Sequence, residues 1–151
     1  MKPRSLLLVA LLVLLLDQAS KTVALSLLVE GWPVAVFPGF NLSLGFNTGA
    51  SFGMLAETMA TRPLIMAVLT AALTALFAFL ALRARHPFEA VGYALIVGGA
   101  ASNVLDRLRL GSVTDFLDFY WRGYHWPAFN GADIAIVLGA VLFLLPMAKR
   151  T

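Results

Sequence analysis

Four long apolar segments divide the chain. They cover residues 5–28, 63–82, 88–105 and 129–148, and each is close to the ~20 residues that a helix needs to cross a hydrocarbon layer. Between them lie two long connections, 29–62 and 106–128, and one short connection with the sequence RARHP. The pattern predicts four transmembrane helices, and with four crossings both long connections emerge on the same side of the membrane.

A different pattern runs through the first long connection, in the segment FNLSLGFN from Phe40 to Asn47. Apolar residues alternate there with polar or small ones, a period of two that is typical of a strand with one apolar face. Pro33, Pro38 and Gly39 bound the segment as turns. Because an open strand cannot lie in hydrocarbon, we expect a small sheet at the membrane surface. The glycines of the NTGASFG stretch that follows would let the backbone approach a ligand closely.

The composition also indicates an integral membrane protein. Of the 151 residues, 60% are hydrophobic and 13% are charged, and the mean hydropathy is +0.87. Cysteine is absent, which excludes disulfides, a thiol nucleophile and cysteine metal sites. His86 and His125 lie far apart, and no basic run with interleaved aromatic residues exists. We therefore expect no metal centre and no nucleic-acid partner.

The first apolar segment has two interpretations. Lys2 and Arg4 precede it as basic residues precede the apolar core of a cleaved signal peptide. However, the apolar run resumes after DQASK with TVALSLLV, and no small-x-small site closes it, which favours a retained helix. Basic residues at positions 2, 4, 83, 85, 149 and 150 then share one side. The positive-inside rule assigns that side, with both termini, to the cytoplasm.

Polar residues inside or beside apolar spans normally face the protein interior and pair with one another. Asp17 and Lys21 are four positions apart, so they share a helix face and can form an ion pair. Asn103, Asp106 and Arg107 form a similar stripe at the end of the third span. Each set is compatible with a structural network or with a functional site.

Asp115 and Asp133 are candidates for acid–base catalysis by a pair of carboxylates. Asp115 follows the third span and Asp133 lies about one turn into the fourth, so both reach the same membrane face. Two carboxylates close together in a partly apolar site cannot both ionise easily, which leaves one acid and one base. That division suits hydrolysis of an amide by activated water.

Other chemistries fit less well. A Ser/Lys dyad would need Lys21, but Ser20 points about 100° away from it around the helix. Ser102 or Ser112 could reach Lys21 only through an accident of tertiary packing. Metal catalysis lacks histidines at ligand spacing, although aspartates could bind a hard cation. A proton-coupled transporter with Asp17 and Asp133 as relays predicts polar residues along a path through the membrane. The second span, LIMAVLTAALTALFAFLAL, carries almost none. A non-catalytic assembly subunit would leave the placement of the aspartates unexplained.

Four motifs, in this order, resemble the lipoprotein signal peptidase (signal peptidase II) family: DQASK, FNTGASFG, GGAASNVLDRLRLGSVTDFLDF and FNGADIAI. The resemblance implies an all-α membrane protein of four transmembrane helices with a small extracytoplasmic sheet, forming one integral membrane peptidase domain over residues 1–151. It implies an aspartyl endopeptidase of the bacterial cytoplasmic (inner) membrane with both termini cytoplasmic and the active site at the outer face. Such an enzyme removes the signal peptide of a prolipoprotein before a diacylglyceryl-modified cysteine. Membrane lipids are the other expected partners; we expect no cofactor and a monomer.

The resemblance also implies roles for individual residues. The catalytic pair falls on Asp115 and Asp133. The substrate-binding positions fall on Asn47, Gly49, Asn103, Arg107 and Asn130. The supporting positions fall on Asp17, Lys21 and Asp106. Arg107 would contact a substrate carbonyl or lipid ester, or else pair with Asp106. Gly131 departs from the family, which more often has a bulkier apolar residue there, and the glycine could loosen the start of the last helix.

An aromatic cluster follows Asp115 in the second long connection. It comprises Tyr120, Trp121, Tyr124 and Trp126. Aromatic rings of this kind favour the membrane interface, which predicts an interfacial belt. A lid over the site is the alternative.

Overall fold

The computed structural model describes residues 2–49 and 63–148. Helices cover nearly all of the four apolar segments. They are α1 (Pro3–Leu27), α2 (Pro63–Arg83), α3 (Pro87–Leu110) and α4 (Gly131–Ala148). The strands are β1 (Val34–Phe37) and β2 (Phe40–Asn47), between α1 and α2, and β3 (Val113–Trp121) and β4 (Tyr124–His125), between α3 and α4.

Three of the described helices are long and apolar enough to cross a membrane: Pro3–Leu27, Leu64–Arg83 and Pro87–Leu110. The comparable apolar stretch of α4, Gly131–Leu144, is shorter. These helices expose large apolar side chains; Leu8 of α1 and Leu64 of α2, for example, are 66% and 67% exposed. A soluble protein avoids so large an apolar surface, and lipid accommodates it.

Helix α3 lies at the centre and packs against each of the other three helices. Glycines allow this close approach. A Cβ atom placed on Gly98 would lie 2.5 Å from the carbonyl oxygen of Ala10 in α1, and one on Gly99 would lie 2.5 Å from that of Ala132 in α4. Small residues serve helix packing in membranes in this way, since lipid provides no hydrophobic drive for helices to associate. Close contact at Gly99 brings the start of α4 against α3.

The four strands form one antiparallel sheet in the order β1-β2-β3-β4. Strand β2 confirms the strand predicted at Phe40–Asn47. The sequence pattern predicts only a connection over residues 106–128, whereas in the structure the partner of β2, strand β3, forms there. The side chains of β3 are buried without a break from Val113 to Phe116, so a period of two is lacking where the strand begins. In the paired strands Gly45 lies opposite Asp115.

Helix α3 continues past Leu105, the end of its apolar segment, to Leu110. It ends at Gly111, which has the left-handed conformation (φ 77°) and donates its N–H to the carbonyl oxygen of Arg107 at 3.1 Å. Glycine adopts this conformation without steric cost. The charged residues Asp106 and Arg107 therefore lie within the helix, and both are buried.

Candidate active site

The start of α4 fixes the position of Asp133. Asn130 precedes the helix, and its Oδ1 accepts the backbone N–H of Asp133 at 3.0 Å. In return, Oδ2 of Asp133 accepts the backbone N–H of Asn130 at 3.3 Å. This reciprocal capping arrangement satisfies two N–H groups that the helix leaves free. It also holds the carboxylate at the positive end of the helix dipole.

Asp115 reaches the same place from β3. It is buried, and Nδ2 of Asn130 donates to its Oδ1 at 2.7 Å and to the backbone oxygen of Thr114 at 3.2 Å. Asn47, at the end of β2, also hydrogen-bonds to Asp115. Asn130 thus binds both aspartates, one through its amide nitrogen and the other through its amide oxygen and backbone N–H.

The environment of Asp115 changes its acidity. Burial, followed by the negative charge of Asp133, raises the pKa of Asp115 from 3.8 to about 7. Hydrogen bonds from Asn130 and Asn47 and the positive charge of Lys21 act in the opposite direction. The protonated and the ionised forms of Asp115 are therefore both accessible near neutral pH, beside a second carboxylate.

Lys21 lies behind the aspartates and is almost completely buried. Its Nζ contacts Oδ2 of Asp17 at 2.7 Å, Oδ2 of Asp106 at 3.1 Å and Oδ1 of Asn103 at 2.7 Å. An ammonium group has three N–H donors, so each has an acceptor. The contact with Asp17 confirms the predicted ion pair. Asn103 extends the network, because its Nδ2 donates to Oδ1 of Asp133 at 3.2 Å.

Asp17 joins the first helix to the last. Its Oδ1 accepts the backbone N–H of Ala132 at 2.7 Å, so a side chain of α1 caps α4. A Cβ atom at Gly131 would lie 3.0 Å from this same oxygen. The glycine therefore leaves room for the Asp17 cap, and this cap together with Asn130 holds the start of α4 that the glycine was expected to loosen.

Arg107 binds backbone oxygens. Its Nη1 donates to the carbonyl oxygen of Asn103 at 3.3 Å, and its Nη2 donates to that of Gly49. Gly49 in turn donates its N–H to Oδ1 of Asn47 at 2.9 Å. Asp106 is bound by Lys21 and by the N–H of Thr114 at 3.0 Å. The remainder of the FNTGASFG motif, Ala50–Gly53, lies outside the described residues.

Among the described residues, two cavities reach Asp133. The larger, about 330 Å³, lies among α2, α3 and α4. Its polar lining consists mainly of Asn47, Asn103, Arg107 and Asp133. Its apolar lining consists of Met66, Leu69, Leu73, Phe77, Ile96, Ala100, Val113 and Ile136. The second, about 260 Å³, is lined by Trp126, Phe129, Asp133, Ile134, Val137 and Leu138. The larger cavity suits a ligand that is mostly apolar and polar at one end.

The structure thus brings together all the candidate residues predicted from the sequence. Gln18 and Ser102 join the same network but were not predicted. Nε2 of Gln18 donates to Oδ1 of Asp106 at 2.7 Å and to Oγ of Ser102 at 2.9 Å. Neither residue belongs to a charge pair with helical spacing, so the sequence carries no local signal for them.

The aromatic cluster divides into two parts. Trp121 and Tyr124 flank the β3–β4 turn and are 73% and 71% exposed. Tyr120 stacks on His125, whose Nδ1 lies 2.8 Å from Oδ1 of Asp118. Trp126 differs from the others because it lines the second cavity beside Asp133. The exposed rings suit an interfacial belt, whereas Trp126 lies at the site.

A family model of signal peptidase (SPase) II matches residues 9–149. The chain belongs to the signal peptidase II family. The lipoprotein signal peptidase of Aeromonas hydrophila subsp. hydrophila is 44% identical over 139 residues, which is 90% of this chain and 83% of that protein. The lipoprotein signal peptidase of Serratia marcescens is 42% identical over 144 residues, or 95% and 85% of the two chains. These matches confirm the resemblance found in the motifs.

Solved structures of bacterial membrane enzymes share the fold of this signal peptidase II family member. One, determined at 2.3 Å by the in meso method, has a TM-score of 0.84 and 26% identity, covering 96% of this chain and 88% of its own. Another, at 1.9 Å, has a TM-score of 0.75 and 28% identity, covering 97% and 94%. Membership in the family makes the chain a protease, and its apolar helices make it a multi-pass membrane protein.

Proposed function

We propose that this protein is an aspartyl endopeptidase that removes the signal peptide from prolipoproteins, cutting before the diacylglyceryl-modified cysteine. The observation that carries the proposal is the attachment of Asp115 and Asp133 to one residue, Asn130, beside a largely apolar cavity. Relatives named lipoprotein signal peptidases provide the substrate class.

We infer a membrane arrangement from the same features. All four helices cross the bacterial inner membrane, and α4 completes its crossing with the residues after Leu144. Both termini are cytoplasmic, because the basic residues at 2, 4, 83 and 85 lie at the end of the bundle opposite the site. The sheet and the active site then lie at the outer face. The whole chain forms one peptidase domain that acts as a monomer.

The cavity suggests how a prolipoprotein binds. Its apolar walls from α2, α3 and α4 accept the signal helix, and its polar end meets the extended peptide at the cleavage site. Asn47 and Asn103 can hydrogen-bond to a peptide backbone that lipid leaves without partners. Arg107 is suited to a substrate oxygen because its Nε is buried and, within the described ranges, has no hydrogen-bond partner. Gly49 lies against Arg107, because its carbonyl oxygen accepts a hydrogen bond from Nη2.

Hydrolysis follows from a pair that holds one proton. The ionised carboxylate takes a proton from water as the water oxygen attacks the scissile carbonyl carbon, and the protonated partner gives its proton to the carbonyl oxygen. The tetrahedral intermediate then breaks its C–N bond as the leaving nitrogen takes a proton from one carboxyl group of the pair. At the same time a hydroxyl of the intermediate returns a proton to the other carboxylate, and the carboxyl group of the product forms. The pair therefore again holds one proton after each cycle. Because the two groups interact, they titrate as a unit.

The structure gives the transporter alternative little support. The threonines of α2 that could line a polar path donate to carbonyls of their own helix. Thr70 donates to Met66 at 2.8 Å, and Thr74 donates to Thr70 at 2.7 Å. The five aspartates, at positions 17, 106, 115, 118 and 133, gather at one end of the bundle instead of along its length.

The direct test uses the purified full chain in detergent. We expect it to cleave a diacylglyceryl-modified prolipoprotein, seen as a gel shift, and to cut directly before the modified cysteine, as shown by mass spectrometry of the product. The same precursor without diacylglycerol is the matched control, and we expect it to be cut far more slowly. Equal cleavage of both precursors would contradict the substrate assignment, and absence of cleavage would contradict the proposed activity.

The raised pKa of Asp115 predicts the pH dependence. As the pH rises through about 7, Asp115 ionises, the pair loses its remaining proton and general acid catalysis stops. We therefore expect kcat/KM, which reports the free enzyme, to fall tenfold for each pH unit on the alkaline side. The same rise in pH also lowers the stability of the folded protein. The raised pKa of Asp115 contributes stability that is fully present below pH 3.8 and is lost by about pH 7. A rate that stays constant to pH 9 would refute this assignment of the proton.

A further inference from the structure

We propose that the hydroxyl group of Ser102 is a positioning group for the catalytic pair and acts through Asp17. This inference rests on the proposed peptidase function. Ser102 lies in α3, is completely buried, and donates its hydroxyl proton to Oδ2 of Asp17 at 2.7 Å. Asp17 contacts the start of the helix that carries Asp133.

Gln18 fixes the direction of this hydrogen bond. Nε2 of Gln18 lies 2.7 Å from Oδ1 of Asp106 and 2.9 Å from Oγ of Ser102. A carboxylate oxygen only accepts, so the atom facing Asp106 must be the amide nitrogen. The nitrogen also donates to the lone pair of Ser102, which leaves the serine proton for Asp17. The serine hydroxyl therefore has one orientation.

Two donors hold the carboxylate of Asp17 from the same side. Ser102 and Lys21 both bind Oδ2, each at 2.7 Å. This arrangement aims the other oxygen, Oδ1, at the backbone N–H of Ala132. Ala132 is also completely buried and directly precedes Asp133. Without Ser102, one donor remains on Oδ2, and the carboxylate can rotate away from the start of α4.

The position of Ser102 separates this role from substrate binding. Its neighbour Asn103 lines the larger cavity, whereas Ser102 lines neither of the two cavities that reach Asp133. Loss of the hydroxyl should therefore misplace the reacting carboxylate without removing a contact with the substrate. A small displacement of a catalytic group is costly because the rate depends on alignment.

The test compares four single variants of the full chain with wild type. Ser102→Ala and Ser102→Gly remove the hydroxyl, Ser102→Thr keeps it, and Ser20→Ala is the matched control. Ser20 lies in α1 one turn from Asp17, but its hydroxyl donates to the backbone oxygen of Asp17 at 2.8 Å. Cleavage of the diacylglyceryl-modified precursor gives kcat and KM per mole of folded protein, and thermal unfolding is measured on the same samples.

We expect both variants without the hydroxyl to lose about tenfold in kcat, the scale of one hydrogen bond to a charged group, with KM within about twofold of wild type. Ser102→Thr should recover most of the rate, and Ser20→Ala should match wild type. Glycine destabilises a helix more than alanine does, so equal rates for the two variants would show that kcat does not follow stability.

Three results would overturn the positioning role: wild-type kcat in Ser102→Ala, a raised KM with unchanged kcat, or rates that follow the melting temperature across the variants. Asp133→Asn in the same assay separates this failure from failure of the proposed function. An inactive Asp133→Asn beside a fully active Ser102→Ala refutes only the role of Ser102. Full activity in both refutes the catalytic pair.

Discussion

Asp115→Asn and Asp133→Asn are each expected to lower the cleavage rate by about a thousandfold or more, since general acid–base catalysis alone contributes about 10²–10⁴. Asparagine has the shape of aspartate and can still accept a hydrogen bond from Asn130, so the fold should be retained. It can neither take a proton from water nor give one to the substrate. Cleavage of the modified prolipoprotein by purified protein, followed by gel shift, measures the loss.

Asp118→Asn is the matched control for this experiment. Asp118 is a buried aspartate of the same strand, β3, but it is held by Asn41 at 3.0 Å and by His125, away from the pair. We expect it to cleave within a few-fold of wild type. Near wild-type cleavage by either catalytic variant would eliminate the pair. An equal loss in Asp118→Asn would indicate damage to the strand instead of loss of chemistry.

Lys21→Met is expected to destabilise the protein by about 3–5 kcal/mol, the range found when one partner of a buried ion pair is removed. The methionine fills similar space but leaves the carboxylates of Asp17 and Asp106 buried without their shared cation. A loss of this size is a large part of a typical stability of about 5–15 kcal/mol. A lower thermal unfolding temperature in detergent, together with a smaller folded yield, measures the effect.

Lys2→Met provides the comparison, because Lys2 is exposed just before α1. We expect an unchanged unfolding temperature for this variant. If Lys21→Met unfolds at the wild-type temperature, the network of Lys21 does not hold the helices together, and the stabilising role assigned to it is wrong.

The residues predictable from the sequence were those whose neighbours are local. The pairing of Asp17 with Lys21 follows from helical spacing, and β2 follows from strict alternation. The contact between Asp17 and Ala132 has no such signal, because it depends on how closely α1 and α4 both approach α3. Gly98 and Gly99 determine how closely these helices pack, and the spacing of residues along the chain does not predict that distance.

The convergence of Asp115 with Asp133 was predicted from topology, but the means of convergence was not. The two residues meet because β3 pairs with β2 and because Asn130 binds both. The continuous burial from Val113 to Phe116 removes the alternation that would indicate β3, and FNGAD carries no local signal for the contact between Asn130 and Asp115. The resemblance to the signal peptidase II family implies that Asn130 is a substrate-binding residue. The structure shows that it hydrogen-bonds to both aspartates.

The bond between Asp17 and Ala132 also bears on biosynthesis. Asp17 lies in α1 and Ala132 lies in α4, 115 positions later, so the bond that caps the start of α4 forms only after α4 has been synthesised. A nascent chain with only α1, α2 and α3 inserted therefore lacks both this cap and Asp133. On the proposed mechanism, a copy that lacks α4 therefore cannot cleave other membrane proteins during its own insertion.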